Sequence, residues 1–224
     1  MKQVEIQQRI LAANDAAAAE LRHGFAGTGT LVVNLISSPG SGKTTLLEAT
    51  VRALAGRARM GAIDGDIATE RDAERLRRAG VPAHQILTGG ACHLDARQVL
   101  AAMGPAALGP LDILFIENVG NLICPTSYDL GEDFKVALLS VTEGEDKPFK
   151  YPAIFARAEV TVITKADLLP YVPFKLDEAR AEVASLNPSA RILVTSATRG
   201  DGIEDWCALL MERLGRKLAD GPAR

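Results

Sequence analysis

Short apolar runs recur along the chain, such as Leu31-Val32-Val33-Asn34-Leu35-Ile36 and Ile113-Leu114-Phe115-Ile116, and longer stretches between them return to an apolar residue every three or four positions. The first pattern predicts strands buried on both faces; the second predicts amphipathic helices. Strands are expected over 31–36, 60–63, 85–87, 113–117, 135–141, 160–164 and 192–195, and helices over 44–55, 69–79, 94–103, 176–186 and 203–214. Residues 3–22, rich in Ala, Gln and Glu with Val4, Ile10, Leu11 and Leu21 among the apolar positions, predict a further helix packed on the outside. Strand–helix alternation of this kind implies an α/β fold, a mostly parallel β-sheet with helices on both faces. There is no internal repeat or low-complexity linker, so residues 1–224 read as one domain, with a polar tail from 215 expected to fray.

Composition narrows the function without naming it. A 47% hydrophobic share of 224 residues is ample for one core. A net charge of −3 and a pI near 5.7 leave no broad basic field, so no nucleic-acid partner is expected. No apolar run approaches the roughly 18 residues of a membrane span, and the first residues lack the apolar core of a signal peptide. The cysteines number three, an odd count that argues against a disulfide framework and for a reducing, cytoplasmic location.

The sharpest chemistry lies in Ser37-Ser38-Pro39-Gly40-Ser41-Gly42-Lys43-Thr44-Thr45, between the first strand and the first helix. That is the setting of the phosphate-binding loop of P-loop NTPases. Gly40 and Gly42 let the backbone wind tightly, so that N–H groups of Gly40, Ser41, Gly42, Lys43, Thr44 and Thr45 can face phosphate oxygens at a helix N-terminus. Lys43 is expected on the β- and γ-phosphates and Thr44 on Mg²⁺. Ser37 stands where the usual pattern opens with Gly.

Downstream, Thr164-Lys165-Ala166-Asp167 ends a strand and resembles the Asn-Lys-x-Asp base-reading motif of GTPases, with Thr in place of the leading Asn. A carboxylate at Asp167 accepts from both the ring N–H and the exocyclic amine of guanine, donors that adenine does not offer together. Lys165 is expected to lay its stem over the base. Ser196-Ala197, after the last strand, resembles the loop whose backbone contacts the guanine oxygen. Together these motifs select GTP and GDP.

For Mg²⁺, Ile63-Asp64-Gly65-Asp66 offers two strand-end carboxylates, of which Asp66 is preferred because Gly65 frees the backbone to present it. Glu117 sits where a second acidic group belongs. It opens Glu117-Asn118-Val119-Gly120, which resembles the Asp-x-x-Gly switch of GTPases, in which the Gly120 N–H would meet the γ-phosphate. Lys43, Asp66, Glu117 and Gly120 are thus the expected catalytic set. No arginine finger or water-orienting glutamine stands out, so slow turnover is expected. A small-molecule kinase remains a second reading, with Arg71, Arg75, Arg77 and Arg78 as a candidate lid.

Cys92-His93 pairs two soft ligands at the expected start of a helix, a position that lowers a thiol pKa. Cys124 follows the switch glycine within about 14 Å of extended chain. Two thiols and one imidazole leave a tetrahedral or square-planar metal incomplete, and a second copy across a two-fold axis would complete it. The same residues also fit two small buried hydrophobes and a surface imidazole. Cys207, beside Trp206 on an amphipathic helix, reads as core.

Leu87-Thr88-Gly89-Gly90-Ala91-Cys92-His93-Leu94-Asp95 and Ile116-Glu117-Asn118-Val119-Gly120-Asn121-Leu122-Ile123-Cys124-Pro125, with the phosphate loop, resemble the HypB family. The resemblance runs from about residue 4 to residue 214. The family comprises GTPases that assist nickel insertion into nickel–iron hydrogenase, in the dimerising branch of P-loop GTPases; the related UreG proteins carry Cys-Pro-His instead of adjacent Cys-His. The resemblance implies that Cys92, His93 and Cys124 bind Ni²⁺ or Zn²⁺ at the interface of a GTP-bound homodimer. It also implies two partners, a HypA-type nickel/zinc accessory protein and the hydrogenase large subunit. These residues include neither the Cys-x-x-Cys-Gly-Cys site nor the histidine-rich stretch of some family members, so high-affinity nickel storage is not expected from them. A regulatory GTP-binding module with a purely structural zinc site is the alternative.

Overall fold

The computed structural model describes residues 2–67, 70–104 and 108–220, the side chains of 2–8 and 10 excepted. Val4 and Ile10, and Thr69 at the start of one expected helix, fall outside that description. The chain runs α1 (Lys2–Thr28), β1 (Leu31–Ser37), α2 (Lys43–Ala53), β2 (Met60–Asp66), α3 (Arg71–Arg78), β3 (Ala83–Leu87), α4 (Ala96–Met103), β4 (Ile113–Glu117), β5 (Phe134–Ser140), α5 (Lys147–Lys150), α6 (Pro152–Arg157), β6 (Val160–Thr164), α7 (Leu176–Leu186), β7 (Arg191–Val194) and α8 (Ile203–Asp220). Short 3-10 helices span Cys124–Ser127 and Ala166–Tyr171. The strands form one seven-stranded sheet in the order β3-β2-β4-β1-β5-β6-β7, every pair parallel.

Alternation along β1 divides the core in two. Leu31, Val33 and Leu35 pack with Leu46 and Leu47 of α2, Leu76 of α3 and Trp206 of α8. Val32 points the other way, to Leu21 and Phe25 of α1 and Val99 of α4, while Ile36 meets Phe155 of α6 and Val183 of α7. Helices thus cover both faces, as parallel strands with crossover connections require. Trp206 is fully buried, and its indole N–H donates to Thr50 Oγ1 at 2.9 Å, so the largest core side chain leaves no polar atom unpaired.

Four differences from the sequence reading have physical causes. β2 continues past residue 63 to Asp66, because β3 pairs with it through Asp64↔Gln85 and Asp66↔Leu87 although acids interrupt the apolar run. α4 begins at Ala96 and not at 94: Asp95 accepts from the Gln98 N–H, and Gln98 accepts in return from the Asp95 N–H, a capping box that fixes the start. α5 and α6 were not foreseen; each opens on a proline in its first turn, Pro148 and Pro152. The fraying expected from 215 does not occur through Asp220, because Lys217 reaches back 2.6 Å to Asp133 and Leu214 is buried.

Candidate functional site

The loop after β1 takes the expected tight course, with Gly40 at φ +75° and Gly42 at φ +94°, both in the left-handed region that glycine adopts without strain. Lys43 opens α2 almost fully buried, and its ammonium donates to Ser37 Oγ at 3.0 Å. Ser37 in turn donates to Ser38 O, so its lone pair is free for the lysine. The residue that departs from the usual pattern is therefore what holds the lysine head.

Thr44 Oγ1 donates to Glu117 Oε1 at 2.9 Å, from the first turn of α2 to the end of β4. Glu117 stands in register beside Asp64 of β2, and each keeps one buried oxygen without a hydrogen-bond partner among the described residues. Burial pushes the Glu117 carboxyl up to about 8, with Lys43 opposing and Asp64 adding. Burial likewise pushes Asp64 up to about 7, with Asp72 and Asp66 adding and Lys43 opposing. Orphaned carboxylate oxygens beside a threonine hydroxyl are the donors a hard dication satisfies, so the residues fit Mg²⁺. Asp66, preferred from sequence, lies on the same face of β2 two residues on, partly exposed; the orphaned oxygens add Asp64, which that preference passed over.

The residues expected from sequence to read the base gather at the other flank of the loop. Thr164 Oγ1 donates to Ser41 O at 2.6 Å and Lys165 Nζ to Gly40 O at 2.7 Å. Lys165 is also the one non-glycine with positive φ among the described residues, at φ 59°. Ser196 Oγ donates to Asp167 Oδ1 at 2.6 Å, which holds that carboxyl below its usual range and ionised. Gly42, Thr45, Lys165, Asp167 and Ala197 line a common cavity of about 200 Å³. Sequence reading missed Glu143, from the loop after β5, whose carboxylate accepts from Ser41 Oγ at 2.6 Å. No motif announces it; only the fold brings it to the phosphate loop. Three of the four candidate lid arginines are engaged elsewhere: Arg75 pairs with Glu48 and Asp72, Arg77 donates to Ala83 O, and Arg78 faces Glu74.

Cys92, His93 and Cys124 come together, with one ligand atom from each within 4.8 Å of the others. Metal bonds of about 2.0–2.3 Å place ligand atoms roughly 3.3–4.6 Å apart, so the group closes on an ion with little movement. Burial lowers the His93 pKa and favours the neutral ring with a free lone pair; the ring lies 4.1 Å from that of Tyr128. The expected lowering of the Cys92 thiol does not hold. Cys92 precedes α4 in a turn, away from the capped helix end, and its hydrogen bond with Cys124 pushes it up. Cys207 is buried core, its thiol pushed by burial up to about 11.

The phosphate and metal groups are joined by residues 117–124. Gly120 packs so tightly on Pro39 of the phosphate loop that a Cβ there would lie 2.9 Å from Pro39 N. Asn118 Oδ1 accepts from the N–H of Leu94, and Asn121 Nδ2 donates to Cys92 O.

Residues 31–194 match the CobW/HypB/UreG nucleotide-binding domain family. Over 219 residues the chain is 47% identical to the hydrogenase maturation factor HypB of Azotobacter chroococcum mcd 1, covering 97% of this chain and 71% of that one. The crystal structure of Helicobacter pylori HypB in complex with nickel superposes with a TM-score of 0.86 at 39% identity, over 95% of this chain and 99% of that one. The signal recognition particle 54 kDa protein of Aeropyrum pernix K1, in complex with GDP, shares the fold alone, with a TM-score of 0.56 at 14% identity over 90% of this chain and 53% of that one. Match, identity and site geometry agree: this chain belongs to the HypB hydrogenase maturation factors, within the CobW/HypB/UreG family of P-loop GTPases.

Proposed function

We propose that this protein is a GTP-hydrolysing nickel chaperone in which the nucleotide state sets the hold on a metal. One observation carries the reading: residues 117–124 start at the Thr44 hydroxyl and end in the Cys92, His93 and Cys124 group. In this account Lys43 and the loop amides hold the triphosphate, while Thr44 with Asp66, Asp64 and Glu117 would hold Mg²⁺, which supplies charge neutralisation for phosphoryl transfer. Asp167, kept ionised by Ser196, selects guanine, and Ser196 and Ala197 close the base pocket. Gly120 reports the γ-phosphate. Ni²⁺ or Zn²⁺ is cargo held by the two thiols and the imidazole. A second copy in a GTP-bound homodimer completes the coordination, and release is toward a HypA-type protein or the hydrogenase large subunit. The sheet and its helices act as one domain, and turnover is slow, as suits a switch.

The test is direct. The protein should release phosphate from GTP at least about a hundredfold more efficiently than from ATP, since adenine covering Asp167 would leave its carboxylate unpaired. Cys124→Ala should weaken Ni²⁺ binding at least about tenfold. Equal turnover of ATP, or unchanged nickel binding in the variant, contradicts the reading.

A further inference from the structure

Asn121 has no part in the chemistry assigned so far, yet it touches both loops that carry the metal-binding side chains. Its Nδ2 donates to Cys92 O at 3.2 Å and its Oδ1 accepts from the Ile123 N–H at 2.8 Å. The first bond fixes the backbone of one thiol, the second the residue before the other thiol. The two cysteines sit on separate segments, one ahead of α4 and one after β4, and these bonds link the two backbones. Asn121 also follows Gly120, the residue pressed against Pro39 of the phosphate loop. Asn118 braces the same junction one step deeper, its Oδ1 accepting from Leu94 N and Val119 N, both at 3.0 Å. Any displacement of Gly120 therefore moves the side chain that spaces the two thiols.

We propose that Asn121 is the positioning residue of the metal site: its two hydrogen bonds join the Cys92 and Cys124 loops into one ligand-bearing unit and carry the movement of the Gly120 segment into it. The assignment rests on the reading that Cys92, His93 and Cys124 hold the metal. Metal sites depend on such outer partners for about 10–100-fold in affinity. A clamp between two loops makes a sharper claim, because it matters only while both thiols are ligands.

The experiment is a double-mutant cycle on the full chain in its GDP form, with Ni²⁺ as the probe and the nickel–thiolate absorption band as the readout. Asn121→Ala is made in the wild-type background and in Cys124→Ala, with Asn121→Leu as a second variant that keeps the volume; GDP affinity reports folding. Asn121→Ala should cost about 10–100-fold in Ni²⁺ affinity with both cysteines present, shift the absorption band, and cost less than about threefold once Cys124 is gone. An equal loss in both backgrounds makes Asn121 a general structural support and overturns the proposal. So does wild-type affinity in Asn121→Ala or in Asn121→Leu. Failure of the wild-type protein to bind Ni²⁺ would sink the metal reading itself, and the assignment with it.

Discussion

Two carboxylates decide much of the chemistry at the residue scale. Asp64 and Glu117 face each other on neighbouring strands, and burial raises both, to about 7 and about 8. The folded protein holds more protons there than the unfolded chain, so their contribution to stability is complete below about pH 4 and is lost as pH rises through 7 to 8. A dication reverses the balance by favouring the ionised forms. Mg²⁺–nucleotide binding should therefore release protons at pH 6.5 and release almost none near pH 9. Calorimetry in buffers of different ionisation enthalpy measures this, and a release independent of pH would remove the pair from the magnesium site. Asp167 works in the opposite sense: the Ser196 hydroxyl keeps it ionised without burial, the state the proposed guanine contact needs.

Between the two sites, the segment leaving β4 is the element on which the account turns. Gly120 has no room for a side chain, since a Cβ would lie 2.8 Å from Pro39 Cγ and 2.9 Å from Pro39 Cα and N. Proline backbone does not yield cheaply, so Gly120→Ala should push the segment off the phosphate loop. Its kcat/KM for GTP is expected to fall at least about tenfold, about 1.4 kcal/mol of transition-state stabilisation, in a protein that remains folded by circular dichroism. Wild-type kinetics would refute the close fit. Much of this element was legible in the sequence, because Glu-x-x-Gly and the following Cys-Pro are local patterns with fixed spacing. The meeting of Cys124 with Cys92 and His93 was legible only as one of two readings, since residue chemistry offered a metal site and buried hydrophobes alike; the family resemblance favoured the metal, and the fold brings the three ligand atoms together. Glu143 and Asn121 escaped because their partners Ser41 and Cys92 are distant in sequence, and neither type is rare enough to signal a role alone. The Cys92 thiol was misread because the local pattern suggested a helix start, whereas the Asp95–Gln98 capping box moved that start to Ala96.

On the scale of the whole molecule, the fold gathers the named side chains in the segments that leave the carboxyl ends of β1 to β7, where parallel sheets leave their ligand crevice. That arrangement holds only while both helical layers stay packed, and α8 is clamped to α2 through Trp206. Trp206→Ala should cost about 3–5 kcal/mol by the loss of a fully buried indole, read as a lower urea midpoint; a cost below about 1 kcal/mol would show that α8 does not anchor the sheet. Among the described residues no helix is long and apolar enough to cross a membrane. What remains is a sheet with a nucleotide crevice on one side and a thiol–imidazole group at the end of the same switch. The decisive measurement titrates Ni²⁺ and Zn²⁺ into the protein loaded with GDP and then with a non-hydrolysable GTP analogue, with molecular mass by light scattering on the same samples. The account predicts that metal affinity or stoichiometry changes with the nucleotide and tracks dimer formation. Identical metal binding in both states would contradict it, leaving a GTPase whose metal site is only structural.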